Sequence, residues 1–132
     1  MERKHRKQMS HTEIRVIEST IHKLDGWDLA THHILEQMEK RGVTKQDILD
    51  TLKLGEVIEV NSRGRVVLRL RIKLRPDMKR GTVVVVNPRE KVLVTAWHND
   101  ERDHHATLDM NEYHWQVNAA EFLQAQIQTG AN

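Results

Sequence analysis

The stretch GEVIEVNSRGRVVLRLRIKLRP, Gly55 to Pro76, decides the fold, because within it the apolar residues stop recurring every three or four positions and begin to alternate. Leu68, Leu70, Ile72 and Leu74 fall on one side of a strand predicted over Val66 to Arg75. Arg69, Arg71, Lys73 and Arg75 fall on the other, so one face reads as core and the other as cationic. Ser62-Arg63-Gly64 supplies a hairpin turn to a preceding strand, Glu56 to Val60, and Pro76 ends the long strand in a basic loop that runs to Gly81. Downstream, Thr82 to Val86 and Val92 to Trp97 read as two more strands around the turn residues Asn87-Pro88-Arg89-Glu90. The unbroken Val83 to Val86 run predicts a central strand covered on both faces.

Upstream of Gly55 the period is helical. Ser10 with Glu13 is a capping-box pattern, and Ile14, Ile17, Ile21 and Leu24 follow at helical spacing. Asp25-Gly26 breaks that helix, Asp28 caps a second with the stripe Leu29, Ile34, Leu35 and Met38, and Gly42 stops it after Arg41. Thr44 to Asp47 is another capping box, opening a short helix with Ile48, Leu49 and Leu52 on one face and closing at Gly55. Residues 1–9 are too densely charged to pack by this reading and are expected to form a mobile basic arm. Past His98 the chain turns polar, and Trp115, Val117, Phe122, Leu123 and Ile127 allow a C-terminal helix. The predicted class is α+β: two to three N-terminal helices on a twisted four-stranded antiparallel sheet, with residues 10–132 as a single domain.

The chain has 132 residues, 38% hydrophobic and 30% charged, with three Trp, one Tyr and one Phe, so its core must be aliphatic. Cysteine is absent, which removes disulfides, a thiolate nucleophile and Cys-ligated zinc. MERKHRK at the N-terminus precedes no apolar run, and no run approaches bilayer length, so a cytoplasmic protein without membrane contact is expected. The net charge of +2 conceals segregation. Residues 25–60 carry eight acids and four bases, −4; residues 61–80 carry eight bases against Asp77 alone, +7; residues 99–132 carry six acids and Arg102, −5. A field of that strength attracts a polyanion.

The segment THHILEQMEKRGVTKQDILDTLKLGEVIE, Thr31 to Glu59, followed by strands ending in VLVTAWHND, resembles the small toxin-like domains of unknown function grouped with the barnase, EndoU, colicin and RelE type ribonucleases. Their pattern falls here on His33, Ile34, Gln37, Met38, Arg41, Gly42 and Val43, then on Gly55, Glu56, Val57 and Ile58. Gln37 departs from it: a neutral amide stands where that class has an Arg one turn after the His. The resemblance implies helices followed by a curled antiparallel sheet, and cleavage of RNA.

Cleaving RNA without a metal needs a proton acceptor for the 2′-hydroxyl, a proton donor for the leaving oxygen, and cations on the phosphate. His33 and His98 are the acid/base candidates, and Arg41, eight residues after His33, shares their catalytic set. Arg69, Arg71, Lys73 and Arg75 are candidate phosphate binders, and Trp97 is a candidate platform for a stacked base. His98, Asp100, Asp103, His104, His105, Asp109 and His114 form a potential ligand cluster, but their spacing follows no metal pattern and they read as a solvated acidic loop. A hydrolase using a metal there is the weaker reading; no metal or cofactor is expected. RNA is the expected partner, with a protein partner or cognate inhibitor beside it. The alternative is a noncatalytic interaction or assembly module, such as a phage or particle component, that uses the same fold and its segregated charge for protein contacts.

Overall fold

The computed structural model describes residues 1–71, 81–99 and 110–130. Among them are four α-helices, α1 (His11–Lys23), α2 (His32–Arg41), α3 (Lys45–Leu54) and α4 (Ala119–Gly130). Five strands, β1 (Arg3–His5), β2 (Glu56–Asn61), β3 (Val66–Leu70), β4 (Gly81–Asn87) and β5 (Val92–Asn99), form one antiparallel sheet in chain order. The α+β class stands, and the four expected strands gain a fifth.

Local chemistry explains the helix ends. Ser10 Oγ accepts from the Glu13 amide while Glu13 Oε1 accepts from the Ser10 amide, closing the capping box of α1. Thr44 and Asp47 do the same for α3. Gly42 ends α2 in the left-handed conformation, φ 67°, which a Cβ disfavours. Asn61 Oδ1 accepts from the amides of Arg63 and Arg65, and Gly64 takes φ 79°, so the β2–β3 turn forms where the sequence indicated.

Register sorts the sheet into two faces. Val66 pairs with Val86 and Leu68 with Val84, and these pack with Val57, Val60, Leu93 and Ala96 against Ile17 and Ile21 of α1, Ile48 and Leu52 of α3 and Leu123 of α4. Val83, Val84 and Val86 are fully buried, as expected of a central strand. Leu35 leaves the expected stripe of α2 and lies exposed.

Residues 3–5 are not an arm. They pair with Asn61, Val60 and Glu59 as an edge strand, because Arg3, Lys4 and Arg6, whose charges argued against packing, each meet an acid. Lys4 is buried against Glu13 at 2.8 Å, Arg6 meets Glu18 at 2.9 Å and donates to the Val57 carbonyl, and Arg3 pairs with Glu112 and lies over the Tyr113 ring. Burial, and after it the Glu59 carboxylate, raises the Tyr113 phenol well above its ordinary range, so it stays neutral. The strand expected over Val66 to Arg75 runs to Leu70, and its continuation, the basic loop to Gly81 and most of the histidine-rich stretch lie outside the described residues.

Candidate functional site

β5 is the last strand of the sheet, so half of its backbone groups have no further strand to pair with. Two elements cover that edge. Asp28 bridges it at one end, its amide donating to the Lys91 carbonyl at 2.7 Å and its carbonyl accepting from the Leu93 amide at 3.3 Å. At the other end α2 lies alongside, and His33, Gln37 and Arg41, spaced by four, form one row on the helix.

The row is joined to the strand by a directed chain of hydrogen bonds. Arg41 Nη1 donates to the Ala96 carbonyl at 2.8 Å and to Thr95 Oγ1 at 3.0 Å. The Thr95 hydroxyl donates onward to Gln37 Oε1 at 2.9 Å. The Gln37 amide nitrogen, which can only donate, meets His33 Nε2 at 2.9 Å. His33 Nε2 is therefore an acceptor, and the proton of the neutral ring sits on Nδ1, which faces no protein partner among the described residues. Arg41 keeps Nε and Nη2 without a protein partner there, and both residues are exposed.

His98 joins the same seam in another capacity. Its Nε2 donates to the Gly42 carbonyl at 3.0 Å, tying the end of α2 to β5, while its Nδ1 is buried and unpartnered among the described residues. With one nitrogen bonded to the helix end and the other buried, half-buried His98 fastens α2 to the strand. Trp97 pairs in register with Val83 and His98 with Thr82, so the two side chains leave β5 on opposite faces, and Trp97 lies on the face of Thr95, to which Arg41 and Gln37 are bonded.

The expected cationic face is answered from within. Arg69 pairs across the hairpin with Glu56, its guanidinium 2.6 Å from the carboxylate and its side chain only 12% exposed, and Arg71 Nε reaches the same Glu56 oxygen at 2.9 Å. Burial penalises the Glu56 charge, but the hydrogen bonds from Arg69 and Arg71 outweigh it and hold the carboxyl below its ordinary pKa. Arg69 and Arg71 thus belong to β2 and β3, separated from the α2 seam by β4. Lys73 and Arg75 lie outside the described residues, and among the described residues no cluster of three His, Asp or Glu is placed to hold a metal ion.

The structure therefore unites His33, Arg41 and His98, sets Arg69 and Arg71 beyond β4, and places Trp97 two residues along β5 from Thr95 on the same face. Gln37 and Thr95 join the three, and neither stood out as functional. The spacing of four on each side of Gln37 was a usable signal, whereas nothing near Thr95 in the chain points to α2. A model of the family described as a domain of unknown function (DUF4258) matches residues 30–98, a span that contains the whole seam. No curated protein matches the chain, and no solved structure does.

Proposed function

The chain belongs to the DUF4258 family, whose model spans just over half of it, and on that footing we propose that it binds RNA along the α2 seam and cleaves it there without a metal. The observation that carries the reading is the row of outward donors, His33 Nδ1–H and the Arg41 Nε and Nη2, braced from behind by Gln37, Thr95 and the Ala96 carbonyl. Bracing matters because a donor held in place loses little freedom when an anion arrives. The resemblance of Thr31 to Glu59 to toxin-like ribonuclease domains supplies the substrate class.

Eight residues of helix separate the two by about 12 Å along the axis. His33 and Arg41 would therefore meet non-adjacent phosphates of one strand, with the imidazole at the scissile position and the guanidinium holding register. As hydrogen-bonded, His33 is a donor. A half-turn of the Gln37 amide would present Oε1 to an Nε2–H and its NH2 to Thr95, freeing the Nδ1 lone pair to take the 2′-hydroxyl proton as the 2′-oxygen bonds to phosphorus and the P–O5′ bond breaks, the departing 5′-oxygen taking a proton from water.

Incubating the protein with tRNA and total RNA in EDTA is the test. Cleavage is expected, and His33→Ala should reduce its rate by about 10²-fold or more if the ring carries the proton. Intact RNA with the unsubstituted protein removes the enzyme. A second reading, a noncatalytic module, draws on the pairing of Arg69 and Arg71 with Glu56 and on the use of His98 to fasten α2 to β5. It predicts intact RNA, no salt-sensitive RNA binding, and a stable complex with a protein partner in light scattering.

A further inference from the structure

The helices α1, α3 and α4 pack on the sheet face that carries Leu68, Val84 and Ala96. The opposite face holds two rows in register: Val67 beside Val85 beside Thr95, and Arg69 beside Val83 beside Trp97. Val83 is buried there, whereas Val67, Val85, Thr95 and Trp97 each keep part of their surface open. The result is a half-open, mostly apolar strip across the middle of the sheet that ends at the β5 edge.

That strip and the seam are one surface. Thr95 belongs to both, because its side chain leaves β5 on the face of the strip and its hydroxyl is bonded to Arg41 and Gln37 of α2. The polar row of α2 therefore borders the strip along the β5 edge, and Trp97 stands two residues beyond Thr95 on the same side.

The charges around the strip favour an anion. Arg41, Arg65, Arg69 and Arg71 stand about it against Glu56 and Glu59, and Glu59 is met by Arg3 as well. Arg65 comes just before β3, where its carbonyl accepts from the Asn61 amide at 3.0 Å, so its side chain falls on the face of Val67. It meets no acid among the described residues. An apolar strip bordered by more cations than anions suits a ligand with flat apolar faces on a regularly charged backbone.

We infer, resting on the RNA reading of the seam, that the substrate is an unpaired strand: its phosphates lie on His33 and Arg41, its bases turn inward onto Val85 and Trp97, and Arg65 meets a further phosphate beyond the strip. Stacking on Trp97 needs an open base face. A duplex turns those faces onto one another and offers this surface little besides its backbone. The probe is a fluorescein-labelled octanucleotide methylated at every 2′-oxygen, alone or annealed to its complement. Methylation removes the attacking hydroxyl, so binding is read without cleavage.

Anisotropy should show the unpaired form bound about tenfold or more tightly than the duplex. Trp97→Ala should weaken the unpaired form about tenfold and leave the duplex unaltered, with Trp97→Phe restoring most of the loss. Arg65→Gln should lower the slope of log affinity against log salt by about 0.7, one phosphate contact on a single strand. Thermal melts check that each variant folds. Equal binding of the two forms overturns the proposal and leaves the RNA reading standing, as does full affinity for the unpaired form in folded Trp97→Ala. An unchanged salt slope in Arg65→Gln overturns it even where Trp97→Ala fails to fold. Binding of neither form, with intact RNA in the cleavage assay, removes the RNA reading itself and this inference with it. A dimer in light scattering that Val85→Glu separates would assign the strip to a second copy and overturn it too.

Discussion

The Glu13 carboxylate takes three hydrogen bonds at once: Oε1 from the Ser10 amide, and Oε2 from the buried Lys4 ammonium and from the Ala119 amide at the start of α4. Burial raises its pKa, and the Lys4 hydrogen bond together with those two amides more than reverses this, so its folded value lies below 4.5. Glu13→Ala leaves Lys4 buried without its counter-charge and should cost about 3–5 kcal/mol in urea unfolding. Because the folded pKa is the depressed one, the stabilisation from Glu13, and from Glu56 likewise, is complete above the unfolded carboxylate value. It drains away as pH falls through the folded value, so melting temperatures should drop on acidification below about pH 4.5, and Glu13→Ala should flatten that slope. At the seam, Thr95→Val removes the hydroxyl that joins Arg41 to Gln37. Nitrogen NMR of the parent should report the His33 proton on Nδ1, and the variant should show a mixture of tautomers.

α2 is an element whose two ends are set by different forces. Its C-terminus is local: Gly42 at φ 67° has open space where a Cβ would stand, so Gly42→Ala meets no clash and pays only for the left-handed backbone, about 1–2 kcal/mol by thermal melting. Its position against β5 is not local and depends on Arg41 donating to the Ala96 carbonyl and on His98 of β5 donating to the Gly42 carbonyl, each more than fifty residues away in the chain. That difference explains what could be read in advance. The boundaries of α1 and α3 and the end of α2 were legible because caps are contacts across three or four residues, whereas α2 begins after Thr31, without a side-chain cap, and not at Asp28, whose backbone is taken up by the bridge to β5. β1 was not, since three charged residues carry no alternation and become a strand only because β2 presents an open edge. The Glu56 to Arg69 pairing was also hidden, because the β2–β3 register shifts between Val57 and Glu59.

At the scale of the molecule, folding reconciles part of the charge segregation seen along the chain. Glu56 meets Arg69 and Arg71 as well as Arg6, and Glu59 meets Arg3, so one carboxylate from the acidic segment answers two of the bases counted over residues 61–80. The N-terminal residues take part in this reconciliation. Removing residues 1–9 deletes the strand that covers β2 and strips Glu13, Glu18 and Glu59 of their basic partners. A truncated chain should melt several degrees lower and form larger species in light scattering as its exposed edge pairs with copies.

The three N-terminal helices, the four strands after them and their order follow from the chain alone, because periodicity, capping and turn chemistry act over a few residues and need no knowledge of the rest. Which cation meets which acid, and whether an imidazole faces solvent or the interior, was decided only by tertiary structure. Those outcomes depend on strand register and on which helix lies along an open edge, and both arise from contacts between residues far apart in the chain.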